Sequence, residues 1–200
     1  PRNDTELFTR ETPDEVLAAA QDEKYAALAR TIGLRSGEHV LEIGCGWGGF
    51  AEFAARETGA RVTAITISQA QAEFARRRIH EAGLNDRAEI RLIDYRDVKG
   101  QFDRIASIEM FEAVGEAYWP TYFDKVSDLL APGGRAGLQV ITIRDDLFAD
   151  YKAHPDFIQR FIFPGGMLPS EAKLRQAFGK AGLAEQGLTR FGAYRARALD

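Results

Sequence analysis

Residues His39 to Phe50 read His-Val-Leu-Glu-Ile-Gly-Cys-Gly-Trp-Gly-Gly-Phe, and this stretch decides the fold. An apolar run that carries one acid, Glu42, stops at alternating glycines, and apolar residues then recur at helical spacing. A strand, a glycine turn and a helix in this order are typical of a nucleotide-binding corner in an α/β protein. Glycine suits such a turn because it has no Cβ to keep the backbone away from a ligand.

The spacing of the glycines leaves more than one cofactor open. The stretch 44–49 also fits the dinucleotide fingerprint, which needs an acid about 20 residues further on to bind a ribose. The next predicted strand, 61–66, runs into Thr66-Ile67-Ser68 and offers no carboxylate. Glu42, two residues before the first glycine, is more like the turn that binds S-adenosylmethionine (SAM), whose sulfonium cation suits an acidic, glycine-lined pocket. A tight turn without a ligand is the third interpretation.

Composition places the chain among soluble globular proteins with one domain, which we expect to span residues 1–200. The hydrophobic content of 45% and the charged content of 28% are ordinary for this class. A net charge of −4 argues against a nucleic-acid-binding protein, which normally has a basic face. The single cysteine excludes an internal disulfide, and neither a membrane span nor a signal peptide is recognisable, so the cytoplasm is the expected compartment.

Strands and helices alternate along the chain, which predicts a doubly wound, mostly parallel sheet with helices on both faces. After a polar arm, Thr12-Pro13 begins a helix that ends near Gly33, so arm and helix together cover 1–33. Ser68 caps a long helix whose inner face carries Ala72, Ala75 and Ile79. The predicted strands are 40–43, 61–66, 88–92, 102–108, 135–143 and 183–189, and the other predicted helices are 47–57, 69–83, 118–130 and 170–180.

Residues 144–169 interrupt this alternation and are predicted to be an inserted segment on the substrate side. Its aromatic part, 156–166, is bounded by Pro155 and Pro169. One interpretation is a helix that covers an edge of the sheet. The other is the wall of an apolar substrate pocket, because loops beyond the strand ends carry function in such folds.

Four motifs in order make the chain resemble the cyclopropane-fatty-acyl-phospholipid synthase family, which includes the mycolic acid cyclopropane synthases and related fatty-acyl methyltransferases. The motifs are 39–50, 94–97, 107–115 and 161–170. The resemblance covers nearly the whole chain and implies a class I SAM-dependent methyltransferase with a Rossmann-like fold. It implies transfer of a methyl or methylene group from SAM to the cis double bond of an unsaturated phospholipid acyl chain, with a bound bicarbonate as the base.

The resemblance also implies roles for individual residues. Glu112 and Tyr194 would hold the bicarbonate, and Gln139 stands where the family has a histidine at the same anion. A hydroxyl and an amide on the second strand would contact the ribose, in place of the usual acid. The implied cofactor-binding residues are Glu42, Gly44, Gly46, Gly48, Thr66, Ile67, Gln71, Asp94 and Tyr95.

Two departures from the family pattern affect this anion site. Gln139 replaces the histidine, and Thr5 stands where the family has a cysteine. The hypothesis that follows is a reaction that stops at methyl or methylene transfer, or an anion that is bound weakly. Two alternatives stay open: a C- or N-methyltransferase for a small molecule, and a SAM-binding remnant without an N-terminal lid.

The expected partners are unsaturated phospholipid acyl chains, with peripheral membrane contact and a homodimer as further possibilities. Three arginines, 76–78, are interpreted as a solvated face that could meet anionic headgroups. Cys45 has no histidine nearby in sequence and is expected to be a packed residue. His39, His80 and His154 are scattered, so no metal site is predicted. Glu109 and Glu112 are three residues apart and would share a face of a helical turn.

Overall fold

The computed structural model describes residues 14–154 and 165–190, with side chains from residue 18 onward. In these residues five strands form one parallel sheet, as predicted. The strands are β1 (His39–Ile43), β2 (Arg61–Thr66), β3 (Ala88–Leu92), β4 (Phe102–Ile108) and β5 (Leu130–Gln139). The helices are α1 (Asp14–Ile32), α2 (Gly49–Phe53), α3 (Gln69–Glu81), α4 (Trp119–Leu129), α5 (Phe148–Ala153) and α6 (Glu171–Lys180).

The strand order is β3-β2-β1-β4-β5, so the chain reverses direction across the sheet at β1. After running outward from β1 to β3, the chain returns to place β4 on the other side of β1. In a doubly wound sheet, ligands bind beyond the carboxyl ends of the strands at such a switch point. The fold therefore predicts a ligand-binding site at the carboxyl ends of β1 and β4.

Two hydrophobic cores cover the two faces of the sheet, which confirms that helices lie on both. One core joins α1, α2 and α3 to residues such as Val40 and Val62, and it includes the predicted inner face of α3. The other joins α4 and α6 to Leu41, Ile43 and Ile105. Neighbouring residues of β1 thus point to opposite cores, because side chains alternate along a strand.

Several predicted element bounds were wrong. Strand β5 spans Leu130–Gln139 rather than 135–143, since Leu130 pairs with Phe102 and Gln139 is the last residue that pairs with β4. The Pro-Gly-Gly after Leu130 is absorbed by a register shift rather than ending a helix. The helix predicted from residue 47 begins at Gly49, because the turn occupies 44–48, and it continues as a π-helical turn, Ala54–Thr58. Residues 183–189 do not form a strand: they are mostly exposed and no described strand pairs with them.

The segment 144–169 is described in part. A 3₁₀ turn, Asp145–Leu147, leads into α5, and the chain returns to the sheet where Ile143 N donates to Pro169 O. Thr5, Tyr194 and most of the aromatic stretch 156–166 lie outside the described residues. None of the helices in the described ranges is long and apolar enough to cross a membrane.

Candidate functional site

The glycine turn after β1 leaves an open space beside its middle glycine. Gly44, Gly46 and Gly48 all have positive φ angles, of 81°, 51° and 81°, which L-residues with side chains rarely adopt. A Cβ on Gly44 would meet Met110 at 2.4 Å, and one on Gly48 would meet Ala75 at 2.9 Å. A Cβ on Gly46 would meet nothing within 4 Å, so the turn is packed on both sides and open in the middle.

Glu42 lies directly before this turn and is buried, with 2% of its surface exposed. Its neighbours on the adjoining strands are two alanines, Ala64 and Ala106. The Ala51 backbone N–H bonds to the carboxyl group, while Oε2 has no hydrogen-bond partner among the described residues. Burial therefore raises the pKa of Glu42 well above its ordinary value. A carboxyl group in this condition is suited to a cationic ligand, which would supply the missing partner.

A second set of polar atoms lies at the end of β2. The buried Thr66 hydroxyl donates to Gln71 Oε1 over 2.7 Å and accepts a hydrogen bond from the Ser68 N–H. Ser68 in turn caps α3, as predicted, by accepting from the Gln71 N–H. This network holds the Gln71 amide in place with its oxygen turned to Thr66, so its NH₂ group is the part left to bind a ligand. Ile67, next in the chain, is 77% exposed.

At the end of β3, both carboxylate oxygens of Asp94 are hydrogen-bonded to Arg96. Its Oδ1 caps the Arg96 N–H, and the guanidinium bonds to both carboxylate oxygens at 2.9 and 2.7 Å. This pairing lowers the pKa of Asp94. Tyr95 is half-buried, and its ring contacts Tyr122 at 5.3 Å between centroids. Both residues follow Ile93, whose N–H donates to the Thr66 carbonyl at the end of β2. Their role on the adenine side of the cofactor stays a prediction.

The ends of β4 and β5 bring three polar side chains together. Glu109 accepts a hydrogen bond from Gln139 Nε2 at 2.8 Å, and its N–H donates to the Gln139 carbonyl at 2.8 Å. Glu112 Oε1 accepts from the Ile141 N–H at 2.5 Å. Both acids therefore contact the same short stretch, 139–141, and the predicted residues Glu112 and Gln139 are neighbours. Glu109 has a φ of 51°, and among the residues that the structure describes it is the only one other than glycine with a positive φ.

Glu109 had no predicted role, and its spacing from Glu112 was the only sequence feature that pointed to it. A left-handed φ at a residue that is not glycine costs free energy, and such strain concentrates at functional sites. No sequence pattern revealed this angle, because it depends on β4 and β5 being neighbours. Cys45 is a buried residue, as predicted, and burial raises the pKa of its thiol to about 12, so it is not a nucleophile at neutral pH.

The switch point, the glycine turn with its buried acid, and the absence of an acid at the end of β2 together define the class: the chain has the Rossmann-like fold of the class I methyltransferases. A family model described as mycolic acid cyclopropane synthetase matches residues 7–200. The chain belongs to this family, as the motifs predicted.

Known relatives agree with this assignment. The tuberculostearic acid methyltransferase UfaA1 of Mycobacterium tuberculosis is 44% identical over 167 residues, which are 83% of this chain and 39% of that protein. The cyclopropane-fatty-acyl-phospholipid synthase of Escherichia coli is 40% identical over 162 residues, 80% of this chain and 40% of that one. The chain therefore spans about two fifths of the length of these relatives.

A solved structure of the mycolic acid cyclopropane synthase CmaA1, in complex with SAH and CTAB, has the same fold. It superposes with a TM-score of 0.77 and 26% sequence identity, covering 86% of this chain and 63% of that one. The SAH bound to that protein is S-adenosylhomocysteine, the product that SAM leaves after methyl transfer.

Proposed function

We propose that this chain binds SAM and transfers its methyl group to the cis double bond of an unsaturated fatty-acyl chain. The strongest support is that two sites lie at one switch point. One is the glycine turn with the buried Glu42, which suits a cationic ligand. The other is the acidic cluster, formed by Glu109 and Glu112. The named activities of the relatives, on fatty acids and acyl phospholipids, favour a lipid acceptor.

The residues at the glycine turn fit SAM. The uncompensated Glu42 carboxyl suits a positively charged ligand, and the open space at Gly46 admits it close to the backbone. Gln71, oriented by the Thr66 hydroxyl, would present its NH₂ group to the ribose. When bound, SAM supplies a methyl group attached to a sulfonium, whose C–S bond breaks with both electrons going to sulfur.

The acidic cluster would serve the acceptor side of the reaction. An alkene that attacks a methyl group leaves a positive charge on its second carbon, and the charge disappears when a proton leaves. Glu109 is the residue we propose to take that proton, because Gln139 orients its carboxylate and the strained backbone directs it to the strand ends. Glu112, held by the Ile141 N–H, adds a second negative group that stabilises the cation.

This assignment changes the expected role of bicarbonate. Where the family pattern has a histidine beside an anion, this chain has Gln139, and a neighbouring carboxylate already accepts from its amide. A second anion beside Glu109 would be repelled. We therefore propose that Glu109 replaces bicarbonate as the base, so that turnover continues in buffer stripped of carbon dioxide.

The decisive experiment supplies methyl-labelled SAM and vesicles of cis-unsaturated phospholipid to the purified protein. Label in the extracted acyl chains, found by mass spectrometry, is the expected result, and the mass and fragmentation distinguish a ring from a methyl or methylene product. Glu109→Gln should lower turnover at least 100-fold while SAM binding is retained. Glu81→Gln, at an exposed acid of α3, is the control that should leave turnover unchanged.

Two outcomes would contradict the proposal. Methylation of a soluble amine without label in lipid would indicate a small-molecule methyltransferase. SAM binding without turnover of any acceptor would indicate a cofactor-binding unit that needs the remaining length present in its relatives.

A further inference from the structure

One aromatic residue outside all of the predicted motifs lies against the glycine turn. Tyr25 belongs to α1 and is half-buried, and its ring contacts Phe50 at 6.0 Å and Phe53 at 5.9 Å between centroids. Its hydroxyl oxygen would lie 2.4 Å from a Cβ placed on Gly49, the first residue of α2. The hydroxyl therefore occupies the volume that any side chain at Gly49 would need, directly after the turn.

Both acidic parts of the site act electrostatically on Tyr25. Burial raises the pKa of Tyr25 most and the charge of Glu42 next, Asp22 and Glu109 act in the same direction, and Arg78 opposes them. Lys24 Nζ lies 5.3 Å from the centroid of the Tyr25 ring. A hydroxyl donor on α1 thus lies against the turn that follows a buried carboxyl group with an unpartnered oxygen.

This arrangement is complementary to a zwitterion. An α-amino acid carries an ammonium group, which suits the Glu42 carboxylate, and a carboxylate, which suits a hydroxyl donor. SAM has such an amino-acid end, whereas its adenosine end would lie at Thr66 and Gln71. We infer that Tyr25 is a further cofactor-binding residue, whose hydroxyl donates a hydrogen bond to the carboxylate of the amino-acid end of SAM.

The inference rests on the proposed function, and binding measurements with two ligands test the inference and the function separately. S-adenosylhomocysteine has the amino-acid end, and 5′-methylthioadenosine has the same adenosine and thioether without it. Titration calorimetry of the whole chain should show that Tyr25→Phe weakens S-adenosylhomocysteine binding about tenfold or more, the usual effect of losing a hydrogen bond to a charged group. Binding of methylthioadenosine should change less than about twofold, since phenylalanine keeps the ring packing.

Tyr118→Phe is the matched control, because Tyr118 is 57% exposed and removed from the turn. It should leave the affinity for both ligands unchanged. Unchanged S-adenosylhomocysteine binding by Tyr25→Phe would overturn the inference, and so would an equal loss for both ligands, which would reveal a structural role. If the wild-type chain bound neither SAM nor S-adenosylhomocysteine, the proposed function itself would fail.

Discussion

Glu42 shows how one residue can be costly for the fold and necessary for the site. Its two strand neighbours are alanines, which leaves room for the carboxyl group but provides no polar partner. Burying an ionisable group in this way disfavours the charged form. The ligand-free protein therefore carries a weakness at the position where we propose that the cofactor binds.

Replacing Glu42 by glutamine should separate stability from binding. Because the folded protein holds the proton of Glu42 at a raised pKa, the unfolded chain binds fewer protons once the pH exceeds the ordinary value of about 4.5. The free energy of unfolding of the wild type should then fall as the pH rises through this window, by up to about 1.4 kcal/mol per pH unit. Glu42→Gln should lack this slope, be about 1–2 kcal/mol more stable at pH 8, and bind SAM at least tenfold more weakly.

Urea unfolding at pH 5 and pH 8 and calorimetry with SAM measure the two effects, with Glu81→Gln as the control at an exposed acid. A glutamine variant that is less stable than the wild type at pH 8 would show that Glu42 has a partner in solution.

At Glu109 the conflict between stability and the proposed site lies in the backbone. A left-handed φ of 51° favours glycine over glutamate. Glu109→Gly should therefore raise the free energy of unfolding by about 1 kcal/mol relative to Glu109→Ala, which retains the strain. Both variants should lose turnover, because neither has the carboxylate. Equal stability of the two variants would show that the strain at this position is negligible.

At the scale of elements, the glycine turn combines two different requirements. Its outer glycines are packed against Met110 and Ala75, and its middle glycine faces open space. The first requirement concerns how β1, α2 and α3 come together, and the second concerns the ligand. The same residue type thus serves the fold at two positions and the proposed binding site at the third.

Substituting alanine at Gly46 and at Gly37 should distinguish these requirements. Both glycines have positive φ angles, of 51° and 80°, and neither has an atom within 4 Å of the Cβ position. Each alanine should cost about 1–2 kcal/mol of stability through the backbone alone. Only Gly46→Ala should also weaken SAM binding, by at least tenfold, because only its Cβ would enter the proposed site. SAM binding by Gly46→Ala at wild-type affinity would place the cofactor elsewhere.

For the whole molecule, the sheet sets the order of local stabilities. β1 is flanked by β2 and β4, and its residues contribute to both cores. After α6, residues 184–190 pair with none of the described strands, and ion pairs of Arg175 with Glu185 and of Arg190 with Glu171 join this stretch to α6. Exposed pairs of this kind contribute little stability.

Hydrogen exchange should follow this order. The amides of 41–43 and 104–106 should exchange only through global unfolding, whereas those of 184–190 should exchange at nearly unprotected rates. Leu183 is left out because its N–H donates to the Phe178 carbonyl. Exchange with mass spectrometry at pH 7 measures both segments in one experiment. Strong protection of 184–190 would indicate that this segment pairs with a strand in solution, as its sequence pattern suggests.

Local sequence patterns determined much of this protein. The alternation of elements, the glycine turn, the Ser68 cap and the inner face of α3 were all predicted, because each depends on residues within one or two turns of one another. The family motifs likewise predicted the family. What only the tertiary structure decided were the contacts between distant parts of the chain. Gln139 meets Glu109 across 30 residues, and Tyr25 reaches the turn from another helix, because the strand order β3-β2-β1-β4-β5 makes them neighbours. The segment 183–189 has a strand-like sequence, yet none of the strands that the structure describes pairs with it, and a strand is stabilised by hydrogen bonds that its own sequence cannot supply.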